Sequence, residues 1–493
     1  MKFRRAPSAT TTILHLCVGL FGVQIVWGLQ NANTSRVFQA LGADVGQLAV
    51  LWIAGPTTGA LVQPIVGYLS DRTRSRFGRR RPFILVGALA AGTALPLFVG
   101  APSLATAATL LWLLCIGANM AMEPLRALTA DLLPEAQRTR AFAMQAAFIA
   151  AGAVVSSTLP WLLGHGFGLA SQPLGGALPE TVRVSYWLGA AALLASIAWV
   201  VTTVREQPAV IVPSDAIAAL SPPSVARLLV RGAAWLTGAG AVALATREFS
   251  LRAELYALAG FAGLYGGTQL CIAVLTRWRH HPTGLLQITE DIVQMPTAMR
   301  KLAVVQFFTW LGLFTLWVYT VPAIAQHRFG TSDPASASYH EAADWVGLLF
   351  AMYNGFAVLA APLVSRASAR FGRATAHALS LGCGAAGIVS LMIGDSHALP
   401  WLAAIGIGIA WSSILSLPYA IVATAASANK MGVYMGIHNL FLVVPQLVGA
   451  VLLGPIVDGW LGGNPSGSLG VAGFMFAAAA VASLLSRFAR VTI

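Results

Sequence analysis

Charge is what this chain has least of. Only 10% of its 493 residues are Asp, Glu, Lys or Arg, against about 25% in an average soluble domain. So few charges cannot cover a water-facing surface, which excludes an ordinary soluble globular protein. Acidic residues are scarcer still, 17 against 30 Lys and Arg, for a net charge of +13. Cysteine is rare too. Cys17, Cys115, Cys271 and Cys383 are scattered through apolar runs; that spacing excludes a disulfide framework or thiolate metal site and leaves them as small core residues. The chain has no Walker A loop, no GxGxxG at a strand–helix junction and no HExxH, so no motif points to an ATPase or an embedded enzyme. No catalytic residue, cofactor or metal is expected.

Apolar residues are abundant: 57% of the chain, with a mean hydropathy of +0.74. Continuous runs of about twenty recur along the whole length, each enough to cross a ~30 Å hydrocarbon core. The runs do not alternate, which favours helices over a barrel. The expected spans are 12–31, 47–69, 82–101, 108–131, 141–165 and 183–204, then 302–326, 343–365, 374–394, 400–424, 432–455 and 468–487. Between the two sets, 228–246 and 254–276 could each cross. The first run mimics a signal peptide, but its apolar part is too long and no small-residue cleavage pattern follows, so it is expected to be an uncleaved span.

The densest charge falls in "SDRTRSRFGRRRP" (70–82), with six arginines in eleven residues. With this frame of spans, Arg4, Arg5, the Arg72–Arg81 cluster, Arg205, Lys301, Arg370, Arg373, Lys430, Arg487 and Arg490 all fall on one side. A basic excess marks the cytoplasmic side. Both termini are therefore expected to be cytoplasmic, and the surplus of Lys and Arg implies a lipid bilayer and no nucleic acid. The reading is an all-α polytopic membrane protein of about 14 transmembrane helices. Its parts are a six-helix bundle over 1–204, a connector over 205–300 with a probable hairpin at 228–276, and a second six-helix bundle over 301–493. "SRASARFGR" (365–373) echoes "SDRTRSRFGR" (70–79) at the matching place in the second bundle. Two half-bundles of one pattern are a signature of secondary transporters, with substrate between them near the midplane.

Several stretches together carry a family resemblance: the Arg-rich loop with the preceding "GPTTGALVQPIVGYL", "GVQIVWGLQ" (22–30), "EPLRALTADL" (123–132) and "VVPQLV" (443–448). The chain resembles the sucrose–proton symporters of plants and their animal and bacterial relatives. These belong to the glycoside–pentoside–hexuronide symporter group of the major facilitator superfamily, and the bacterial branch is the nearest in flavour. The resemblance implies a monomeric carrier in the bacterial inner membrane, importing a glucoside such as sucrose or maltose by alternating access, with the proton gradient as its energy source. It also implies a cytoplasmic gate of Gly67, Asp71, Arg72, Arg79 and Asp131 that latches the two halves. Gly67 would let a neighbouring helix approach closely. The plant proton-site aspartate of the fourth helix aligns with Cys115, so that group is absent here.

Ionisable groups at bilayer depth are costly and usually functional. At 100° per residue, Asn119, Glu123 and Arg126 share one face of the fourth helix, so Glu123 with Arg126 as partner is the expected proton switch. Asp344 is the second candidate for proton coupling. A sugar needs polar groups for its hydroxyls and aromatic faces for its apolar side. Gln24, Trp27, Gln30 and Asn31 offer these on the first helix, Asn119 on the fourth, and Gln306 and Trp310 on the first helix of the second bundle. Tyr353 and Asn354 follow on the next, and His438 and Asn439 on the eleventh core helix. For His438 a tautomer-fixing hydrogen bond is the plainer expectation. A uniporter or exporter of another small polar solute, and a transport-inactive sugar sensor, stay open as alternatives.

Overall fold

The computed structural model describes residues 9–73, 75–133, 135–172, 178–204, 206, 225–249, 255–279, 295–393, 399–425 and 431–486. Among them are fourteen long helices and no strand. The first set is α1 (Ala9–Ala40), α2 (Ala54–Arg72), α3 (Arg81–Val99), α4 (Leu104–Leu132), α5 (Glu135–Phe167) and α6 (Glu180–Thr203). A central pair follows, α7 (Val225–Glu248) and α8 (Leu255–Arg279). The last set is α9 (Thr297–Phe329), α10 (Ala337–Phe371), α11 (Arg373–Ser390), α12 (Leu399–Ala425), α13 (Met431–Pro455) and α14 (Ser466–Ser486). Each expected span coincides with one helix. Most of the expected connectors 205–225 and 277–300, with the chain ends, lie outside the described residues.

Twelve segments are long and apolar enough to cross a membrane. The other two helices are α8, apolar only over Ala259–Val274, and α11. The sequence of α11 is rich in Gly, Ala and Ser, and it packs between α12, α14 and α10. A helix surrounded by others needs small residues for close approach more than it needs apolar bulk. By contrast α7 and α8 pack chiefly on each other, and α8 touches α13.

Two cores form. One gathers Leu16 to Val204 of α1–α6 with a few residues of α9 and α13; the other gathers residues of α9–α14 with Ala32 of α1. The sets meet where α5 lies on α10, α1 on α9 and α10, and α2 on α13. At Gly347 of α10 an added Cβ would stand 2.6 Å from the Ser157 carbonyl of α5, so only glycine allows that approach.

Several helices exceed their expected bounds, and two of them carry the overrun into the contact between the halves. α1 continues to Ala40 instead of ending near 31, and α10 begins at Ala337 instead of 343. With 32 and 35 residues they are about 48 and 52 Å long, well beyond a ~30 Å core. Their ends remain helical because protein packs against them there. Prolines lie inside many of the helices: Pro96, Pro124, Pro160, Pro322, Pro362, Pro418 and Pro445. Each lacks an N–H and so frees the carbonyl four residues earlier, which neighbouring helices can satisfy.

Candidate functional site: a polar and aromatic seam between the two halves

Four helices join through an amide ladder at mid-length. On α13, Asn439 Nδ2 donates to Gln63 Oε1 of α2 at 3.0 Å, and Gln63 Nε2 donates to Asn119 Oδ1 of α4 at 2.7 Å. Asn119 Nδ2 donates to Thr58 Oγ1 and to the Cys115 carbonyl, both at 3.0 Å. Cys115 Sγ approaches Gln30 Oε1 of α1 at 3.5 Å. Asn119, Asn439 and Gln30 were expected at the site; Gln63 and Thr58 were not, because each reads alone as a polar residue in an apolar run.

A second group of side chains forms an aromatic box. Trp310 and Trp317 of α9, Tyr353 of α10 and Trp411 of α12 meet edge to face, with ring centroids 6.1–6.5 Å apart. Trp317 Nε1 donates to the Tyr353 hydroxyl at 3.3 Å, and Trp411 Nε1 to Asn354 Oδ1 at 3.2 Å. Asn354 Nδ2 is held by the Phe350 carbonyl at 2.8 Å. Trp317 packs against both cores, so the box faces the seam. Trp411 is the member that sequence reasoning missed; a lone tryptophan in "GIAWSSIL" carries no helical partner to mark it.

Several buried polar atoms around the seam have no hydrogen-bond partner among the described residues. They are both side-chain atoms of Gln306, one turn before Trp310, the Nε1 atoms of Trp27 and Trp310, and both ring nitrogens of His438. His438 therefore lacks the expected tautomer-fixing bond. Its ring instead stacks on Tyr419 at 4.7 Å and lies 6.1 Å from Phe441. Gln24 and Asn31 are half-buried on α1. An unmatched buried polar group costs about 1–3 kcal/mol, so a cluster of them beside aromatic rings suits a ligand rich in hydroxyls.

The expected Glu123–Arg126 pair is not formed: no ion pair joins them among the described residues. Asn119 is buried, Glu123 is half-buried and Arg126 is exposed. Exposure thus rises along one face of α4 toward its C-terminal end, the side on which α1 begins and α14 finishes.

Asp344 does have a cationic partner. Arg36 Nη1 of α1 donates to Asp344 Oδ1 at 2.7 Å, and both side chains are buried. Arg36 was missed because the first span was expected to stop at 31, which put it in a loop. Around it, Ser35 Oγ donates to the Val318 carbonyl at 2.7 Å, Trp52 Nε1 donates to Ser35 Oγ at 3.0 Å, and the Tyr339 hydroxyl donates to Gln39 Oε1. All but the Trp52 bond cross between the halves, at the end remote from the termini.

The arginine loop closes inside the first half. Arg79 Nη2 and Arg80 Nε reach Asp131 Oδ2 at 2.7 and 3.1 Å, and Arg80 Nη1 donates to Ser70 Oγ at 2.7 Å. Glu206 caps the start of α3, accepting from the backbone N–H of Arg79, Arg80 and Arg81 at 2.6–3.0 Å. Among the described residues these arginines are held by Asp131 of α4 and by Glu206, just after α6. Among the described residues an added Cβ at Gly67 meets nothing within 4 Å, so none of them makes the expected close approach. Asp71 and Arg72 end α2, and their side chains lie outside the described residues. The repeated Phe-Gly-Arg has a shared backbone role. Gly78 and Gly372 sit at φ +99° and +83°, a region that favours glycine. The following arginine of the second copy, Arg373, donates to the Ala420 carbonyl of α12 at 3.1 Å.

Long apolar helices in two sets, with a polar seam between them, define a multi-pass membrane protein. The profile of the Major Facilitator Superfamily matches residues 16–450, and the chain belongs to that superfamily. Among curated relatives, the general alpha-glucoside permease of Schizosaccharomyces pombe is 32% identical over 166 residues, 30% of this chain and 30% of the permease. The sucrose transport protein SUC4 of Arabidopsis thaliana is 34% identical over 153 residues, 28% of this chain and 30% of that protein. The matched stretches thus span less than a third of these relatives, which are eukaryotic. Among solved structures, the POT family transporter PepTSo superposes with a TM-score of 0.67 at 12% identity, covering 97% of each chain. The nucleoside transporter NupG gives 0.62 at 11% identity, covering 96% of this chain and 98% of that one. These likenesses show the fold.

Proposed function

We propose that this chain is a proton-coupled importer of a glucoside, a disaccharide such as sucrose or maltose, working by alternating access. It resides as a monomer in the cell membrane of a bacterium with both termini cytoplasmic. The observation that carries the reading is the aromatic box at the seam, with the unmatched amide of Gln306 one turn before Trp310 and the unmatched Trp310 Nε1 within it. Rings of Trp310, Trp317 and Trp411 offer faces to the apolar side of a pyranose, and Gln306, Trp27 and His438 offer hydrogen bonds to its hydroxyls. The names of the partial relatives, an alpha-glucoside permease and a sucrose transport protein, support that substrate class.

Contacts between the halves gather at the end remote from the termini, while α4 is exposed toward the termini. That is the arrangement of a carrier open to the cytoplasm, with its two six-helix halves, 1–204 and 301–493, ready to rock about the seam. Glu123 carries the proton in this reading. It lies one turn from Asn119 of the amide ladder, so its charge and the ladder's occupancy influence each other. Arg126, further toward solvent, draws the carboxylate outward once the proton leaves.

The test is sugar uptake by proteoliposomes with a pH reporter outside. Sugar-dependent alkalinisation, lost in Glu123→Gln with counterflow preserved, supports symport. Counterflow without proton movement in the parent protein would establish a uniporter. One observation favours that second reading: Cys115 stands where the resemblance calls for an aspartate, and its thiol is buried against Gln30.

A further inference from the structure

Arg36 is the only Arg, Lys, Asp or Glu in α1, and it is buried. Its Nη1 donates to Asp344 at 2.7 Å and its Nε to His340 Nδ1 at 2.9 Å, while Nη2 has no partner. Both acceptors belong to α10, in the other half. Among the described residues this is the one ion pair that joins the halves; the other two lie within the first. Leaving one member of a buried pair without its partner costs about 3–5 kcal/mol. The halves can therefore part at this end only when water replaces both acceptors of Arg36.

His340 adds a chemical condition. A nitrogen that accepts from an arginine N–H must offer its lone pair, so Nδ1 is unprotonated and the ring proton sits on Nε2. We propose that Arg36 gates the side of the carrier remote from the termini, and that His340 makes this gate sensitive to acid on that side. When the halves are apart, a proton from the medium forms a bond to Nδ1 and consumes its lone pair. The imidazolium can then only donate, so the Arg36 Nε bond cannot re-form and two cations face the single carboxylate of Asp344. Acid holds the gate open; loss of the proton to the medium lets it close.

The groups around the gate fit this sign. Asp344 and Tyr339 come from α10, Asp333 from the α9–α10 connection, and Tyr186 from α6, with Asp333 acting on His340 and Tyr186 on Arg36 electrostatically. From α9 the Val318 carbonyl accepts from Ser35, the residue beside Arg36. In the closed gate the Nδ1 lone pair of His340 is taken by the Arg36 Nε–H, so the closed gate selects the ring unprotonated at that nitrogen. The inference rests on alternating access, and is independent of the sugar and of Glu123.

The test is a distance measurement. Spin labels at Gln47→Cys and Ser332→Cys, both exposed and on opposite halves at this end, are placed in a full-length chain whose four native cysteines are replaced by alanine. Double electron–electron resonance in proteoliposomes reads the open and closed populations. Lowering the medium from about pH 7.5 to about pH 5.5 spans the range of free imidazole. The open fraction should rise about threefold or more, well within what one linked proton can supply over that interval. His340→Gln keeps an acceptor that cannot titrate and should abolish the pH response while leaving a closed population. Arg36→Gln should be open at both pH values. A response that persists in H340Q, or its absence in the parent, overturns the proposal. If R36Q does not fold, the comparison of H340Q with the parent decides alone. Failure of sugar uptake with this response intact would remove the import reading and leave the gate standing.

Discussion

Gln306 is buried with neither end of its amide matched, and that makes its two contributions separable. For folding alone the amide is a liability, because an unsatisfied buried group costs about 1–3 kcal/mol. Gln306→Leu should therefore leave the purified protein as stable or more so in a thermal scan. The same change removes both a donor and an acceptor from the seam, and sugar affinity should fall about tenfold or more, roughly 1.4 kcal/mol, in counterflow. Loss of stability with affinity intact would show that the amide serves packing. Trp411→Phe keeps a ring in the box but removes the indole donor that holds Asn354. A lost neutral hydrogen bond is worth about 0.5–1.5 kcal/mol, so a severalfold rise in the half-saturating sugar concentration is expected, with a smaller effect on maximal rate.

Between α2 and α3, a basic loop is organised by one carboxylate. Glu206 gathers three consecutive backbone N–H groups at the α3 start, where the helix dipole also favours a negative charge. This holds Arg79 and Arg80 against Asp131. Glu206→Gln can keep some of these bonds but loses the charge, and bonds to charged groups contribute about 1.5–3 kcal/mol each, less at a half-exposed site. A lowered unfolding midpoint in detergent is expected, with faster proteolysis near Arg74–Arg76. An unchanged midpoint would mean that the arginines hold the loop unaided. At this scale the sequence was informative about which helices exist and poor about where they end. α1 and α10 overrun their apolar cores through "NANTSRVFQA" and "ASYHEA". Those stretches are polar enough to read as loop and stay helical because residues of both halves pack against them.

For the molecule as a whole, the gradient sets a ceiling. One proton moving inward is worth about 2.3 kcal/mol per 100 mV, which permits roughly fortyfold accumulation of a neutral sugar before any pH term. Proteoliposomes clamped near that potential should accumulate sugar severalfold above the medium, and Glu123→Gln should equalise the two sides. A parent protein that only equilibrates sugar would assign the chain to uniport.

Apolar run lengths were enough to predict a helical membrane protein and the approximate place of its long helices, because lipid permits few ways to satisfy a backbone; the family was suggested by resemblance in short motifs such as the Arg-rich loop. The candidate site was legible in pieces: Asn119, Asn439, Trp310, Tyr353 and Asn354 could be named, since polar and aromatic residues inside spans are conspicuous. Their partners could not be. Gln63, Trp411, Arg36 and His340 are defined by contacts with residues up to 376 positions away. Only packing of the halves decided that Asp344 pairs with Arg36, while Glu123 and Arg126, three residues apart on one helix, do not pair. Spacing along a helix says which side chains share a face; what stands opposite that face, and whether water reaches it, depends on helices brought in from far along the chain.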